Sequence, residues 1–139
     1  MTVPSPTYPR ILIVSANEEA AFRLKESFRE WRYAIQVTAD AGQAVKLLAS
    51  QTPPEIALID AVLPSMSGVE LVAEVKRRAA KVGTKNPVWA MLMCDQVDVD
   101  AVASATEAGV DDLLLKPVDI PDLRVRLRVA ERVQALTAQ

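Results

Sequence analysis

The stretch EIALIDAVLPSMSGVEL, residues Glu55 to Leu71, decides how this chain is read. An apolar run ends on one carboxylate, Asp60, and a proline, two serines and a glycine follow it. IALID has the composition of a short strand. Ser67 and Glu70 stand at capping-box spacing, so a helix opens at SGVEL and runs to Gly83, a residue suited to ending it. The stretch is therefore strand, turn, helix, with a carboxylate at the joint. Taken alone, Asp60 reads as a strand-end residue bonding the turn that follows. Its surroundings decide whether it is more.

Working outward, the same unit repeats five times. RILIVS has no alternation, as expected of a strand buried on both faces. EEAAFRLKESFREW follows, with Ala21, Leu24, Phe28 and Trp31 at helical spacing. AIQVTA is a weaker strand, and DAGQAVKLLAS is a helix that Asp40 can cap. After the Glu55–Gly83 region, PVWAMLMC is a fourth strand and VDVDAVASATEAG a helix ending at Gly109. DDLLLK is a fifth strand, and DIPDLRVRLRVAERVQALTAQ a long last helix. Five βα units with short connections predict an α/β doubly wound, five-stranded parallel sheet covered by helices on both faces. In such sheets, chemistry sits beyond the carboxyl ends of the strands. Ser15, Asp60, Cys94 or Met93, and Lys116 all end their strands, so four strand ends are expected to converge on one site.

Composition narrows the function. At 139 residues the chain has the size of one domain, long enough to bury a core. Half of it is apolar and only 4% aromatic, so that core is built from Ala, Val, Leu and Ile. Sixteen basic against 18 acidic residues give a net charge of −2, which argues against binding nucleic acid or a membrane surface through bulk charge. A single cysteine forms no internal disulfide and fits a reducing, cytoplasmic compartment. With no histidine, Ser-His triads, Cys-His pairs and His-ligated metals are all excluded. Residues 1–9, proline-rich and without an apolar h-region, read as a disordered leader, and residues 10–136 as the folded domain.

ALIDAVLPSMSGVEL and EAGVDDLLLKPVD, joined in the order β-Asp then β-Lys-Pro within a (βα)5 frame, resemble the receiver domain of two-component response regulators. The resemblance covers nearly the whole chain and implies the flavodoxin-like strand order 2-1-3-4-5. It implies that Asp60 is the phosphoacceptor, that Lys116 contacts a phosphoryl oxygen, and that the Lys116–Pro117 bond is cis. It implies Mg2+ as cofactor, with Asp60 and the Val62 backbone carbonyl among its ligands. The implied partners are a histidine kinase or phosphotransfer protein and a C-terminal effector domain. Phosphoryl transfer to a carboxylate needs an in-line nucleophile and cationic groups that offset charge on the moving oxygens.

Several positions depart from the pattern. The family carries an acidic pair after the first strand; here those positions hold Ser15 and Ala16. Alanine has no donor atom, and a neutral hydroxyl is a poor ligand for a hard dication. Asn17 and Glu18 come one and two residues too late, and Glu18 suits the start of a helix. Where the family has a Thr or Ser ending the fourth strand, counting back from Lys116 lands on Cys94 and counting forward from Pro87 lands on Leu92. Neither has a hydroxyl. Leu113 stands where the family carries a switch aromatic. Slow or absent phosphorylation is therefore expected, with a phosphorylation-independent interaction role as the counterpart.

On the last helix, about 120–136, Leu123, Leu127 and Ala130 share one arc suited to the sheet. Val125, Val129, Val133 and Leu136, with Arg126 beside them, form a second arc. That arc serves a homodimer or a continuation into an output domain, or else it caps the preceding helix; both stand open. Two other classes compete poorly. An Asp-nucleophile hydrolase wants a second acid where Val62 stands, and a nucleotide- or flavin-binding domain wants a glycine-rich loop that SANEEA lacks.

Overall fold

The computed structural model describes residues 8–138. Of the proposed leader, residues 1–7 lie outside the described residues, whereas the Pro9 carbonyl already accepts a bond from the Ala34 amide at 2.9 Å. The elements alternate in chain order: β1 (Arg10–Val14), α1 (Glu18–Ser27), β2 (Ala34–Thr38), α2 (Ala41–Leu48), β3 (Ile56–Asp60), α3 (Gly68–Val82), β4 (Trp89–Cys94), α4 (Val99–Ala108), β5 (Asp112–Leu115) and α5 (Ile120–Thr137). All strands run parallel in the order β2-β1-β3-β4-β5, as the sequence implied. The reversal of strand order beside β1 and β3 opens a crevice at their carboxyl ends.

Two apolar layers hold the sheet. On one face, α2 and α3 place Ala44, Leu48, Leu71, Val72 and Val75 against Leu12, Ala57, Ile59 and Leu92. On the other, Leu24 and Phe28 join Leu123, Leu127 and Ala130 of α5 over Ile11, Ile13, Leu58 and Met91. The three α5 residues expected to face the sheet are fully buried. Gln134 lies on the same side, where its amide donates to the Glu55 carbonyl at 2.6 Å and the Pro87 carbonyl at 2.9 Å.

Local signals account for most boundaries. Asp40 accepts from the Gln43 amide at 3.2 Å and Ser67 from the Glu70 amide at 3.1 Å, each capping its helix. Gly83 and Gly109 close α3 and α4 with φ of 80° and 94°, values that suit glycine. Helix α1 is shorter than its apolar periodicity predicts. It stops at Ser27 because the next amides turn to nearer carbonyls, Arg29 to Glu26 at 3.2 Å and Trp31 to Phe28 at 3.0 Å. Those tighter turns, followed by Arg32 at φ 60°, bring Trp31 onto Phe28 with ring centroids 5.2 Å apart.

Candidate functional site

The site is assembled from strand ends. Strand β3 is buried along its length, and Asp60, its last residue, is only 7% exposed. The chain then doubles back. Val62 donates its amide to Asp60 Oδ1 at 3.2 Å, Val62 and Ser67 form an isolated bridge, and the Gly68 amide reaches the Ala61 carbonyl at 2.9 Å. That return brings the start of α3 directly behind Asp60. A side chain at position 68 would collide with the Asp60 carbonyl oxygen, sit 2.7 Å from Leu92 Cδ1 and 3.0 Å from Ala61 Cα. Glycine is demanded here by close backbone approach.

Lys116 arrives from β5. Its amide donates to the Cys94 carbonyl at 2.8 Å, and the bond to Pro117 is cis. Its Nζ lies 2.5 Å from Asp60 Oδ1, an ion pair in which the lysine side chain is 29% exposed and the aspartate 10%. Ser15, just past β1, is fixed through its amide to the Thr38 carbonyl at 3.0 Å. Its hydroxyl accepts from the Asn17 amide at 3.1 Å and makes a long contact of 3.5 Å to Asp60 Oδ2. Ser15, Asp60, Cys94 and Lys116 therefore do meet at one end of the sheet.

The remaining positions supply little chemistry. Ala16 is exposed and offers no donor. Asn17 is occupied as the cap of α1, accepting from the Ala20 amide at 3.0 Å. Glu18 and Glu19 fill the exposed first turn of that helix, and Glu19 pairs with Arg23. Cys94 is the residue that ends β4, whereas Leu92 is buried two residues earlier in the core. Burial pushes the Cys94 thiol above its usual value; the nearby Lys116 charge opposes this and Asp60 adds to it. Leu113 is half-buried and packs against the α2/α3 layer.

The receiver resemblance implies Mg2+, an ion that needs a set of oxygen donors. The carboxylate at the strand ends is Asp60, and its Oδ1 already accepts from Lys116 and Val62; Glu26, on the α1 wall of the cleft that opens here, pairs with Arg29. Ser15 adds a neutral hydroxyl, Val62 a carbonyl, and Ala16 nothing. Among the described residues, no group of three His, Cys, Asp or Glu side chains is placed to hold a metal ion. A hard dication prefers several anionic oxygens. These residues do not fit it.

Two features lay outside the sequence reading. Gly68 shapes the turn behind Asp60. Met93, paired in register with Asp60, forms part of a cleft of about 570 Å³ that opens from the site along α1, with Phe22, Val118 and Ile120 on its walls. On the outer side of α5, Val125, Val129 and Leu136 are 63%, 46% and 70% exposed and Val133 is half-buried. Arg126, expected to join that surface, is engaged within the domain, bonding Asp112 at 2.6 Å and Asp122 at 2.9 Å.

Comparison with known proteins agrees with this architecture. The model of the response regulator receiver domain matches residues 11–128. The transcriptional regulatory protein PrrA of Mycobacterium leprae is 25% identical over 130 residues, 94% of this chain and 53% of that protein. Response regulator MprA of Mycolicibacterium vanbaalenii is 30% identical over 123 residues, 88% of this chain and 50% of that protein. Among solved structures, the signal receiver domain of an HD domain-containing protein from Pseudomonas fluorescens superposes with a TM-score of 0.79 at 28% identity, covering 93% of this chain and 98% of that one. The chain spans about half the length of the curated relatives it matches.

Proposed function

Because the chain belongs to the response regulator receiver domain family, we propose that it serves two-component signalling mainly through protein contact, with phosphorylation of Asp60 slow or absent. Receiver domains are generally signalling modules without enzymatic turnover, and the reading here is a non-enzyme. The observation that carries it is the ion pair of Asp60 and Lys116 beside the neutral positions Ser15 and Ala16, where no group of three His, Cys, Asp or Glu side chains among the described residues is placed to hold a metal ion.

A carboxylate attacking a phosphoryl group gathers charge on the equatorial oxygens, and the site must offset it. Preorganised charge of that kind is usually the largest catalytic contribution, and losing one such group costs on the order of a hundredfold or more in rate. Lys116 is the cation in contact with Asp60, while Arg23, on the wall of the same cleft, is paired with Glu19. With Cys94 in place of a hydroxyl, a phosphorylated Asp60 would also lack one donor, and Leu113 has no ring hydroxyl to reposition. Incubation with a small phosphodonor and Mg2+, followed by intact-mass measurement, is expected to show little or no adduct. Rapid stoichiometric addition on Asp60 would overturn the reading.

Candidate partners follow from the family: a histidine kinase or phosphotransfer protein as input, and an effector domain as output. The outer arc of α5 favours an output role, since Val125, Val129 and Leu136 find no cover within the domain. We assign it to a homodimer or to a helix continuing toward an effector. Sedimentation of the wild type against Val129→Glu separates these. A dimer that dissociates in the variant supports the first; monomers in both remove it. Cys94, free and buried, accords with a reducing cytoplasmic setting. No helix among the described residues is long and apolar enough to cross a membrane.

A further inference from the structure

We infer that the pocket is closed to divalent cations, because positions 15 and 16 are neutral and Asp60 is already paired with Lys116. The inference deepens the receiver reading and rests on it. Three observations carry it. First, Asp60 is almost fully buried, so its charge requires a counter-charge close at hand. Lys116 supplies one at 2.5 Å on Oδ1, where the Val62 amide also donates at 3.2 Å. Second, the pair is electrically neutral. An incoming dication would face an ammonium group and share a carboxylate already engaged. Third, the groups that could shift this balance are spent or missing. Ser15 Oγ is bonded by the Asn17 amide at 3.1 Å, Asn17 Oδ1 caps α1, and Ala16 has no donor.

The consequence is a site whose resting structure ignores Mg2+. Two carboxylates at positions 15 and 16 would supply the negative charge that allows a dication to enter beside Lys116. Two backbone amides report on the donor set directly. Val62 N–H touches Asp60 Oδ1, and Asn17 N–H touches the side chain of residue 15.

The test is a titration of the 15N-labelled chain with MgCl2 into the millimolar range at constant ionic strength, followed at those two amides. The wild type is expected to show no saturable shift. The double variant Ser15→Asp/Ala16→Asp is expected to show saturable shifts at residues 60–62 and 15–17, with affinity tighter by roughly tenfold or more. Should the double variant fail to fold, Ala16→Asp alone takes its place, since residue 16 is exposed. Saturable binding by the wild type would overturn the inference. So would a folded acidic variant, with wild-type spectra elsewhere, that remains flat. No phosphodonor is present, so the outcome is independent of whether Asp60 can be phosphorylated.

Discussion

One pocket has two walls of different character. On the β3 and β5 side, Asp60, Gly68 and Lys116 are tied to one another and to the backbone of the core. On the β1 side, Ser15 is placed by its main-chain amide on the Thr38 carbonyl, and Ala16 stands exposed. The first wall cannot change without disturbing the turn between β3 and α3. The second is placed mainly by backbone, to which the Ser15 hydroxyl adds one bond from the Asn17 amide and a long contact to Asp60, so its side chains are less tied to the fold. The geometry around Asp60 is therefore fixed more firmly than the side chains that face it across the pocket.

The largest effect should come from Lys116→Met. It leaves Asp60 buried with the Val62 amide and a long Ser15 contact as its remaining support, which should cost about 1–3 kcal/mol in urea unfolding. Asp60→Asn should cost less, because Lys116 is the more exposed partner and can turn to water. Equal losses in the two variants would break the assignment of the first wall as structural. Gly68→Ala belongs to the same wall. Its methyl group meets Asp60 and Leu92, so the turn must shift, at roughly 1–3 kcal/mol. A neutral result there would mean that the close approach behind Asp60 relaxes freely.

On the other wall, Ser15→Ala should stay within about 1 kcal/mol and Ala16→Asp within about 0.5 kcal/mol. Larger losses would erase the contrast. The smallest effect is chemical. Burial raises the Cys94 thiol, so the folded state favours the protonated form. Its stabilising contribution is complete below the unfolded thiol's ordinary value of 9.0 and fades as pH rises through the raised folded value. Alkylation of Cys94 in the folded protein should accordingly be slow at neutral pH and rise with pH later than that of the unfolded chain, while unfolding in urea abolishes the protection. Fast labelling of the native protein at neutral pH would sink this expectation.

Much of the fold was legible because its signals are local. Unbroken apolar runs gave the strands, Asp40 and Ser67 gave helix starts, and Gly83 and Gly109 gave helix ends. The two arcs of α5 separated correctly, since Leu123, Leu127 and Ala130 are buried and Val125 and Val129 are not. Asp60 and Lys116 were found as a pair because both end strands and both match the receiver pattern. What periodicity could not supply depended on contacts between distant segments. Trp31 keeps helical spacing with Leu24 and Phe28, yet it is placed by ring packing after α1 has ended. Two counts for the end of β4 disagreed until the register set Cys94 opposite Leu115, beside the Lys116 amide. Glutamine at 134 looks like any polar helix residue until its carbonyl partners, 79 and 47 residues away, are known.

That glutamine has a mechanical consequence. Its single amide group pins the last turns of α5 to the residues leading into β3 and β4, the two strands whose far ends carry Asp60 and Cys94. With five and six residues at about 3.3 Å each, these strands act as stiff rods of under 20 Å. A load applied to the outer arc of α5 cannot slide the helix lengthwise without breaking both bonds. It is instead delivered to the roots of the rods that bear the site.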